Sequence, residues 1–455
     1  MDLYQNIYEQ CWFPFFEGVI KRRNTARIYK NICDTENLSH DELIGLQTSA
    51  LKRLMRHADQ HSPFHRLRFK EARIDPAAIK SPEDLLSLPI MTKIDIRKNY
   101  DQIANDRKEP LWTKTTGGST GEPFSFAYTK ESYEWRVAAS KRGYAWAGAK
   151  PGTKQALIWG APLITLSKAQ QLKQTLHHII DRQSYFNCYY FDDTSMYNCL
   201  EKLNKVRPDI IIGYTNPLFN FAKFVSTNGG LKYRPKSIIC AAEKLHQFQR
   251  IMLKDVFCCD VFNTYGSREF MLIAAECDRH NGLHVSMENL IVEIIKEDGT
   301  KAKNGEMGKI IVTDLHNYGM PFIRYEIGDM GVATDRQCSC GRGLTLIDDI
   351  VGRSLDMIEV SGGKKLPGEF FVHLMLDYPE VSKFQVVQSK SKDVTLKIVP
   401  STVFEKDQVD SILKKIREVS GQEINIDCEI VSDIPLTGSG KYRVAISMLS
   451  GDRHD

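Results

Sequence analysis

The sequence carries almost no excess of charge. Lys and Arg number 61 against 57 Asp and Glu, a formal charge of +4 over 455 residues, which is too little to announce nucleic acid or an anionic membrane as a partner. A regular cysteine framework is missing as well. Eleven cysteines, an odd number, fit a reducing compartment in which thiols are buried or bind metal, so the cytoplasm is the expected location. There is also no long apolar run at the start: MDLYQNIYEQCWFPFFEGVIKRR interrupts its apolar residues with Glu9 and Glu17 and puts its basic cluster after them. It reads as neither a signal peptide nor a transmembrane helix. Its Trp12-Phe13-Pro14-Phe15-Phe16 patch is expected to dock onto the body of the protein, a membrane surface or a partner being the other reading. No internal repeat and no low-complexity tract interrupts the chain. Length alone calls for more than one hydrophobic core.

Residues 41 to 110 read as helices and turns, with Leu43, Leu46, Leu51 and Leu54 at near-helical spacing. From about residue 155, short apolar stretches such as Gln155-Ala156-Leu157-Ile158-Trp159 and Asp209-Ile210-Ile211-Ile212 alternate with helical ones, the pattern of a largely parallel α/β sheet buried on both faces. Further on, NLIVEIIKEDGTKA and GEMGKIIVTDL suggest antiparallel strands turning at Asp298-Gly299. The last hundred residues hold the strands FQVVQS, VTLKIV and INIDCEIV and a helix with Val409, Ile412, Leu413, Ile416 and Val419 on one face. The expected architecture is a large N-terminal α/β domain with mixed sheets, residues 1–352, plus a small mobile α+β C-terminal domain, residues 353–455.

The stretch TTGGSTGEP can turn backbone N–H groups toward an anion through Gly117, Gly118 and Gly121, while Thr115, Thr116, Ser119 and Thr120 add hydroxyl donors. It is not a Walker loop, because Glu122 follows the last glycine where lysine is required, and it lacks the G-x-G-x-x-G spacing. Alone, such a stretch is more often a mobile surface loop than a nucleotide site. In NTYGSREF, Tyr265 offers a face for a base and Glu269 a carboxylate for Mg²⁺, although singly they would pass for a core tyrosine and a solvated acid. Asp329 in RYEIGDMG could accept two ribose hydroxyl protons, and Lys441 in PLTGSGKYR could neutralise a phosphate or carboxylate.

Taken in order, TTGGSTGEP, AAEKL, YGSRE, YEIGD, GRSLD and PLTGSGK resemble the adenylate-forming superfamily of acyl-CoA ligases. Within it the chain looks like the phenylacetate-CoA ligase branch, and most like the CapK-type proteins associated with capsule polysaccharide biosynthesis. LMRHADQHSPFHRLRF and LPIMTKIDIR extend the likeness, which runs from about residue 45 to 447. The resemblance implies that the glycine loop grips the β and γ phosphates of ATP and that Ala241, Ala242 and Glu243 line the adenine site. By the same resemblance Tyr265, with Gly266 and Ser267, would pack on the nucleotide. Glu269 would ligate Mg²⁺, Asp329 the ribose hydroxyls, and Arg353 the ribose or a phosphate. Lys441 would bridge the substrate carboxylate and the α phosphate during adenylation. Three departures stand out: Leu355 occupies the customary hinge position with Asp356 one residue later, Arg268 replaces a hydroxyl residue, and Glu122 stands where many relatives have lysine. Gly213 and Tyr214, with the region around Trp159 and Gly160, are expected to shape the acid pocket.

The implied reaction is ATP-dependent activation of a carboxylic acid, then transfer to coenzyme A. Transfer to an amine or hydroxyl acceptor, for example on an activated sugar, is the alternative enzyme, and a non-catalytic nucleotide-binding relative is a third reading. Nothing fixes the oligomeric state, a homodimer being one option. ECDRHNGLH and CSCGRG contribute Cys277, His284, Cys338 and Cys340, three thiolates and an imidazole of the kind that holds structural Zn²⁺. His280 is the substitute should His284 point elsewhere, and Cys258 and Cys259 are expected to be simply buried.

Overall fold

The computed structural model describes residues 2–104, 110–116, 124–160, 168–188, 191–353, 357–360, 365–375, 377–378, 380–400, 406–421, 424–435 and 443–449. The chain forms two compact units: Met1–Thr116 with Ser125–Ile327 and Val332–Asp349, and Gly117–Phe124 with Gly328–Gly331 and Ile350–Asp455. Among the described residues, no helix is long and apolar enough to cross a membrane.

The first unit opens with a helical layer. Its N-terminal segment buries Tyr8 and Phe13 against Ile28, Tyr29, Ile32, Ala138 and Ala139, so part of the aromatic patch docks on the body. Helix His40–His61 starts at a capping box in which Ser39 and Glu42 satisfy each other's backbone N–H groups. It buries Leu43, Ala50, Leu51, Leu54, Met55 and Ala58, whereas Leu46 is exposed. The expected stripe is therefore corrected at Leu46. Leu43, Leu51 and Leu54 share a face, but position 46 lies on its solvent edge.

A short pair, β1 (Trp112–Thr116) and β2 (Phe124–Tyr128), precedes the main sheet. That sheet comprises β3 (Gln155–Trp159), β4 (Gln183–Asn187), β5 (Ile210–Tyr214), β6 (Ser237–Ala241), β7 (Asp260–Ser267), β8 (Met271–Ala275), β9 (Leu283–Val285), β10 (Leu290–Ile295), β11 (Met307–Asp314), β12 (Tyr325–Ala333) and β13 (Leu346–Arg353). Its order is β10-β11-β12-β13-β9-β8-β7-β6-β5-β3-β4. From β4 to β7 the neighbours are parallel, and β6 is buried at every position because helices cover both faces. Beyond β7 the pairing shown by β7–β8, β8–β9 and β10–β11 is antiparallel. Asp298-Gly299 does make a tight turn, with Gly299 at φ 82° and the Asp298 carboxylate accepting from the Thr300 N–H at 2.9 Å. The turn closes a small loop at the Ile295–Lys301 bridge rather than joining the two long strands directly.

The second unit contains the pair β14 (Met357–Glu359) and β15 (Lys365–Pro367), and a four-stranded sheet of β16 (Val381–Lys390), β17 (Asp393–Pro400), β18 (Asn425–Ile430) and β19 (Ala445–Ser447), ordered β18-β17-β16-β19. Helix Lys406–Ser420 buries Ile412, Leu413 and Ile416. Val419, expected on that face, is exposed one residue from the helix end.

Two buried histidines of the first unit set its acid tolerance. His65 faces the Pro321 carbonyl through Nε2 at 2.9 Å and the Arg68 guanidinium through Nδ1 at 3.1 Å, which fits a neutral ring donating from Nε2 and accepting at Nδ1. Burial, helped by the Arg68 charge, lowers its pKa to about 3. His316 stacks on Trp135 with centroids 3.8 Å apart, and burial brings it to about 4. Both depressed values mean that the unfolded chain binds the extra protons, so stability is full above the unfolded pKa and falls as the pH drops below it. Between about pH 7.5 and about pH 5 each ring is expected to cost about 2 kcal/mol of stability. Urea unfolding across that range checks it; His316→Gln should flatten the slope, and an unchanged slope would remove His316 from the account.

Candidate active site

The parallel strands all point their carboxyl ends to one edge, where open α/β sheets bind ligands. The register aligns Ile158 with Gly213, Tyr214 with Ala241 and Cys240 with Asn263, so residues from four separate stretches of sequence come together there. Trp159 and Tyr214 stand with ring centroids 4.6 Å apart. The Gly160 carbonyl accepts from the Tyr185 hydroxyl at 2.9 Å. Gly213 has no room for a side chain: a Cβ would lie 2.8 Å from the Ile158 carbonyl oxygen and 2.9 Å from Leu218. Close strand packing, and not pocket shape alone, demands the glycine.

Ala241 ends β6, and Ala242 follows it at φ 67°, a left-handed conformation that costs a non-glycine residue energy. The turn brings the Glu243 carboxylate to the Asn216 N–H at 2.8 Å, while the Glu243 carbonyl accepts from the Thr215 hydroxyl at 3.1 Å. Glu243 thus caps helix Thr215–Thr227 with a negative charge at its positive end. The sequence reading missed that role, since nothing in AAEKL points to a helix that starts nearly thirty residues earlier.

Tyr265 is buried on β7 beside a bulge at Tyr265/Gly266. A Cβ at Gly266 would sit 2.0 Å from the Met271 carbonyl oxygen, so this turn too requires glycine. Ser267 Oγ accepts from the Phe270 N–H at 3.3 Å. Within the turn Arg268 is exposed and Glu269 is buried, its carboxylate accepting from the Tyr325 hydroxyl at 3.3 Å. Glu269 is therefore a held acid and not a solvated one, and an oxygen donor of this kind suits Mg²⁺.

Lys114 escaped the sequence reading. It lies on β1 one residue before the glycine loop, half-buried, its ammonium 5.3 Å from the Tyr128 ring centroid. Burial lowers its pKa, and the charges of Arg136 and Arg268 push in the same direction. Arg136 is neutralised by Asp314 at 2.7 Å. Lys114 and Arg268 leave a positive field at the root of the loop. A lone lysine between threonines gives no signal in one dimension.

Thr115 Oγ1 lies 3.1 Å from Ser125 Oγ, and Thr116 ends β1. Asp329 is half-buried on β12 and groups with the second unit, as does Arg353 at the end of β13. Gly117, Gly118, Ser119, Thr120, Gly121, Glu122, Leu355, Asp356 and Lys441 lie outside the described residues.

A second cluster lies at the antiparallel end of the first unit's sheet. Cys277 follows β8, His284 is on β9, and Cys338 and Cys340 precede β13; their ligand atoms all fall within 4.8 Å of one another. Cys277 Sγ is 3.6 Å from Cys338 Sγ, and Cys340 Sγ is 3.4 Å from His284 Nε2. A tetrahedral zinc with Zn–S of about 2.3 Å and Zn–N of about 2.0 Å implies separations of roughly 3.5–3.8 Å, so the donor set fits. His280 is not part of it: its Nδ1 faces the Glu276 carboxylate at 3.1 Å. The expectation of two buried neighbours also needs correction, since Cys259 is buried but Cys258 is exposed at the left-handed C-cap of helix Gln247–Phe257.

Residues 359–448 match the family model of the CapK C-terminal domain. The chain is 25% identical to Protein CapK of Staphylococcus aureus over 433 residues, 94% of each chain. Along most of its length the chain is similar to CapK-type and phenylacetate-CoA-type adenylate-forming ligases. A phenylacetate-coenzyme A ligase of Thermus thermophilus is 26% identical over 371 residues, covering 78% of this chain and 80% of that one. In fold, a 2-hydroxyisobutyryl-CoA ligase crystallised with an acyl-AMP matches 91% of each chain at a TM-score of 0.68 and 18% identity. The family resemblance read from the six motifs and the mixed α/β architecture both stand.

Proposed function

We propose that the protein activates a carboxylic acid with ATP as an acyl-adenylate and then transfers the acyl group to coenzyme A. The observation that carries this reading is the meeting of Trp159, Tyr214, Ala241–Glu243 and the Tyr265–Ser267 segment at the carboxyl edge of the parallel strands. In the first half-reaction a carboxylate oxygen attacks the α phosphorus and pyrophosphate leaves, so the protein's work is positioning and charge stabilisation. Tyr265 packs on the nucleotide and Asp329 and Arg353 take its ribose side. Glu269, oriented by Tyr325, holds Mg²⁺, whose charge offsets that of the phosphates. Thr115, Thr116 and the glycine loop grip the β and γ phosphates, and Lys114 with Arg268 supplies the positive charge that Glu122 does not. Trp159 and Tyr214 wall the acid. Lys441 bridges carboxylate and α phosphate. Zn²⁺ bound by Cys277, His284, Cys338 and Cys340 is structural, because four protein ligands leave no site for water. Its thiolates suit a reducing cytoplasm.

A second reading keeps the adenylation and passes the acyl group to an amine or hydroxyl, as on a sugar nucleotide in capsule polysaccharide biosynthesis. What favours it is that the likeness to Protein CapK extends through the C-terminal unit. Incubation with Mg·ATP and a panel of acids, with and without coenzyme A, tests both. Pyrophosphate release with an acyl-CoA product supports the first reading, and AMP turnover indifferent to coenzyme A supports the second. No pyrophosphate from any acid would count against both. Lys114→Ala is expected to raise the KM for ATP about tenfold with little change in kcat, the loss of one charge contact to phosphate.

A further inference from the structure

The N-terminal segment is α-helical over Leu3–Ile7 and Phe13–Phe15 and π-helical over Tyr8–Trp12 and Phe16–Ile20. In a straight α-helix a series spaced by four residues drifts about 40° per step, so its first and fifth members would face nearly opposite ways. The wider π turns cancel that drift. Two stripes result. Tyr4 stacks on Tyr8 and Trp12 on Phe16 along one, and Leu3, Ile7, Cys11, Phe15 and Val19 form the other, every member exposed, Leu3 by 74% and Val19 by 62%. The segment runs against helix Lys168–Ile180: the Tyr4 hydroxyl donates to the Ile180 carbonyl at 2.7 Å, and Phe16 stacks on His177 at 5.4 Å. That helix exposes Leu172, Leu176 and Ile179 on its own i, i+4, i+7 face.

Nine of the nineteen exposed large apolar side chains among the described residues lie on these two helices, with Tyr4 and Ile20 completing the set. Such concentration is not the scattered exposure that ordinary surfaces tolerate. Charge tells what covers it. Helix Lys168–Ile180 contains no acid and carries the exposed Lys173. In the N-terminal segment Glu17 is buried, Glu9 is half-buried and Asp2 is held by Arg182, while Lys21 and the exposed Arg22 close its end. Apolar ridges flanked by cations suit the acyl and headgroup zones of an anionic bilayer.

We infer that these two helices form a peripheral membrane-docking face that prefers anionic lipid. The chain's net charge is small, so the preference is local and electrostatically weak by itself; apolar insertion supplies the other part. Flotation of the full-length protein with phosphatidylcholine vesicles, with and without phosphatidylglycerol, tests it. Binding to the anionic vesicles is expected. The triple substitution Ile7→Asp, Phe15→Asp and Val19→Asp should weaken it at least about tenfold, and Arg22→Gln with Lys173→Gln should remove most of the anionic preference, about thirtyfold for the two charges. All substituted side chains are exposed, so thermal unfolding should stay at the wild-type midpoint and report that the variants fold. Absence of binding to either vesicle, or binding that ignores the triple substitution, overturns the proposal. So does light scattering that finds a dimer split by the triple substitution in a protein that does not bind vesicles, which would assign the face to a second copy.

Discussion

Replacing Lys441 with alanine is expected to cut pyrophosphate release about 10²- to 10³-fold while leaving thioester formation from supplied acyl-adenylate within a few-fold of wild type. The magnitude is that of removing one preorganised charge from a developing anion. The split follows from where charge appears. In adenylation, carboxylate and phosphate must approach although both are negative, and a single ammonium between them offsets the repulsion. In the second half the attacking thiol meets a neutral acyl carbonyl and the leaving group is already AMP, so the same ammonium has less to do. The strand that follows Lys441 is well anchored: β19 pairs in parallel with β16, Val386 opposite Ala445, and the Arg443 carbonyl accepts from Gln385 Nε2 at 3.0 Å. Lys441→Arg keeps the charge but changes its shape, and it should recover only part of the rate. Equal losses in both half-reactions, or none in the first, would remove the role given to Lys441.

How far the sequence disclosed this molecule depended on whether the signal was local. Ile210–Tyr214 was legible as a strand because a parallel strand buried on both faces is nearly continuous in apolar residues. Leu46 and Val419 were misassigned because apolar spacing marks the middle of a helix face well and its edges poorly. The metal-type cluster was legible because a Cys-x-Cys pair in a protein without a disulfide framework has few other uses. Glu243 as a helix cap and Lys114 beside Arg268 were not legible, since each depends on a partner brought near only by the fold. Gly213 and Gly266 illustrate a subtler limit. Their positions beside the site suggested a role in binding, but each is also required by a backbone carbonyl that leaves no room for a Cβ.

If Cys277, His284, Cys338 and Cys340 hold the proposed zinc, its loss should be the largest single blow to the stability of the first unit. The cluster ties together three parts of the sheet region: the turn after β8, β9, and the segment ahead of β13. That last segment also leans on the helical layer. The Gly343 carbonyl faces His40 Nδ1 at 3.0 Å, and a Cβ at Gly343 would lie 2.3 Å from the Leu38 carbonyl oxygen. Arg342 pairs with Glu36 at 3.4 Å and lies over the Trp146 ring at 5.0 Å. Without metal, three thiols and an imidazole confined within 4.8 Å have no common cation to organise them. Protein purified without added metal is expected to contain close to one equivalent of zinc. Cys338→Ser should lose it and lower unfolding stability by several kcal/mol, on the order of 5, because a metal contributes its binding energy to the folded state alone. Chelation of the wild type should approach the same unfolding curve, whereas Cys258→Ser, at an exposed site outside the cluster, should change neither metal content nor stability. Zinc content unchanged in Cys338→Ser would take that residue out of the site. Zinc lost without a shift in unfolding would mean that the metal binds the wild type but does not stabilise it.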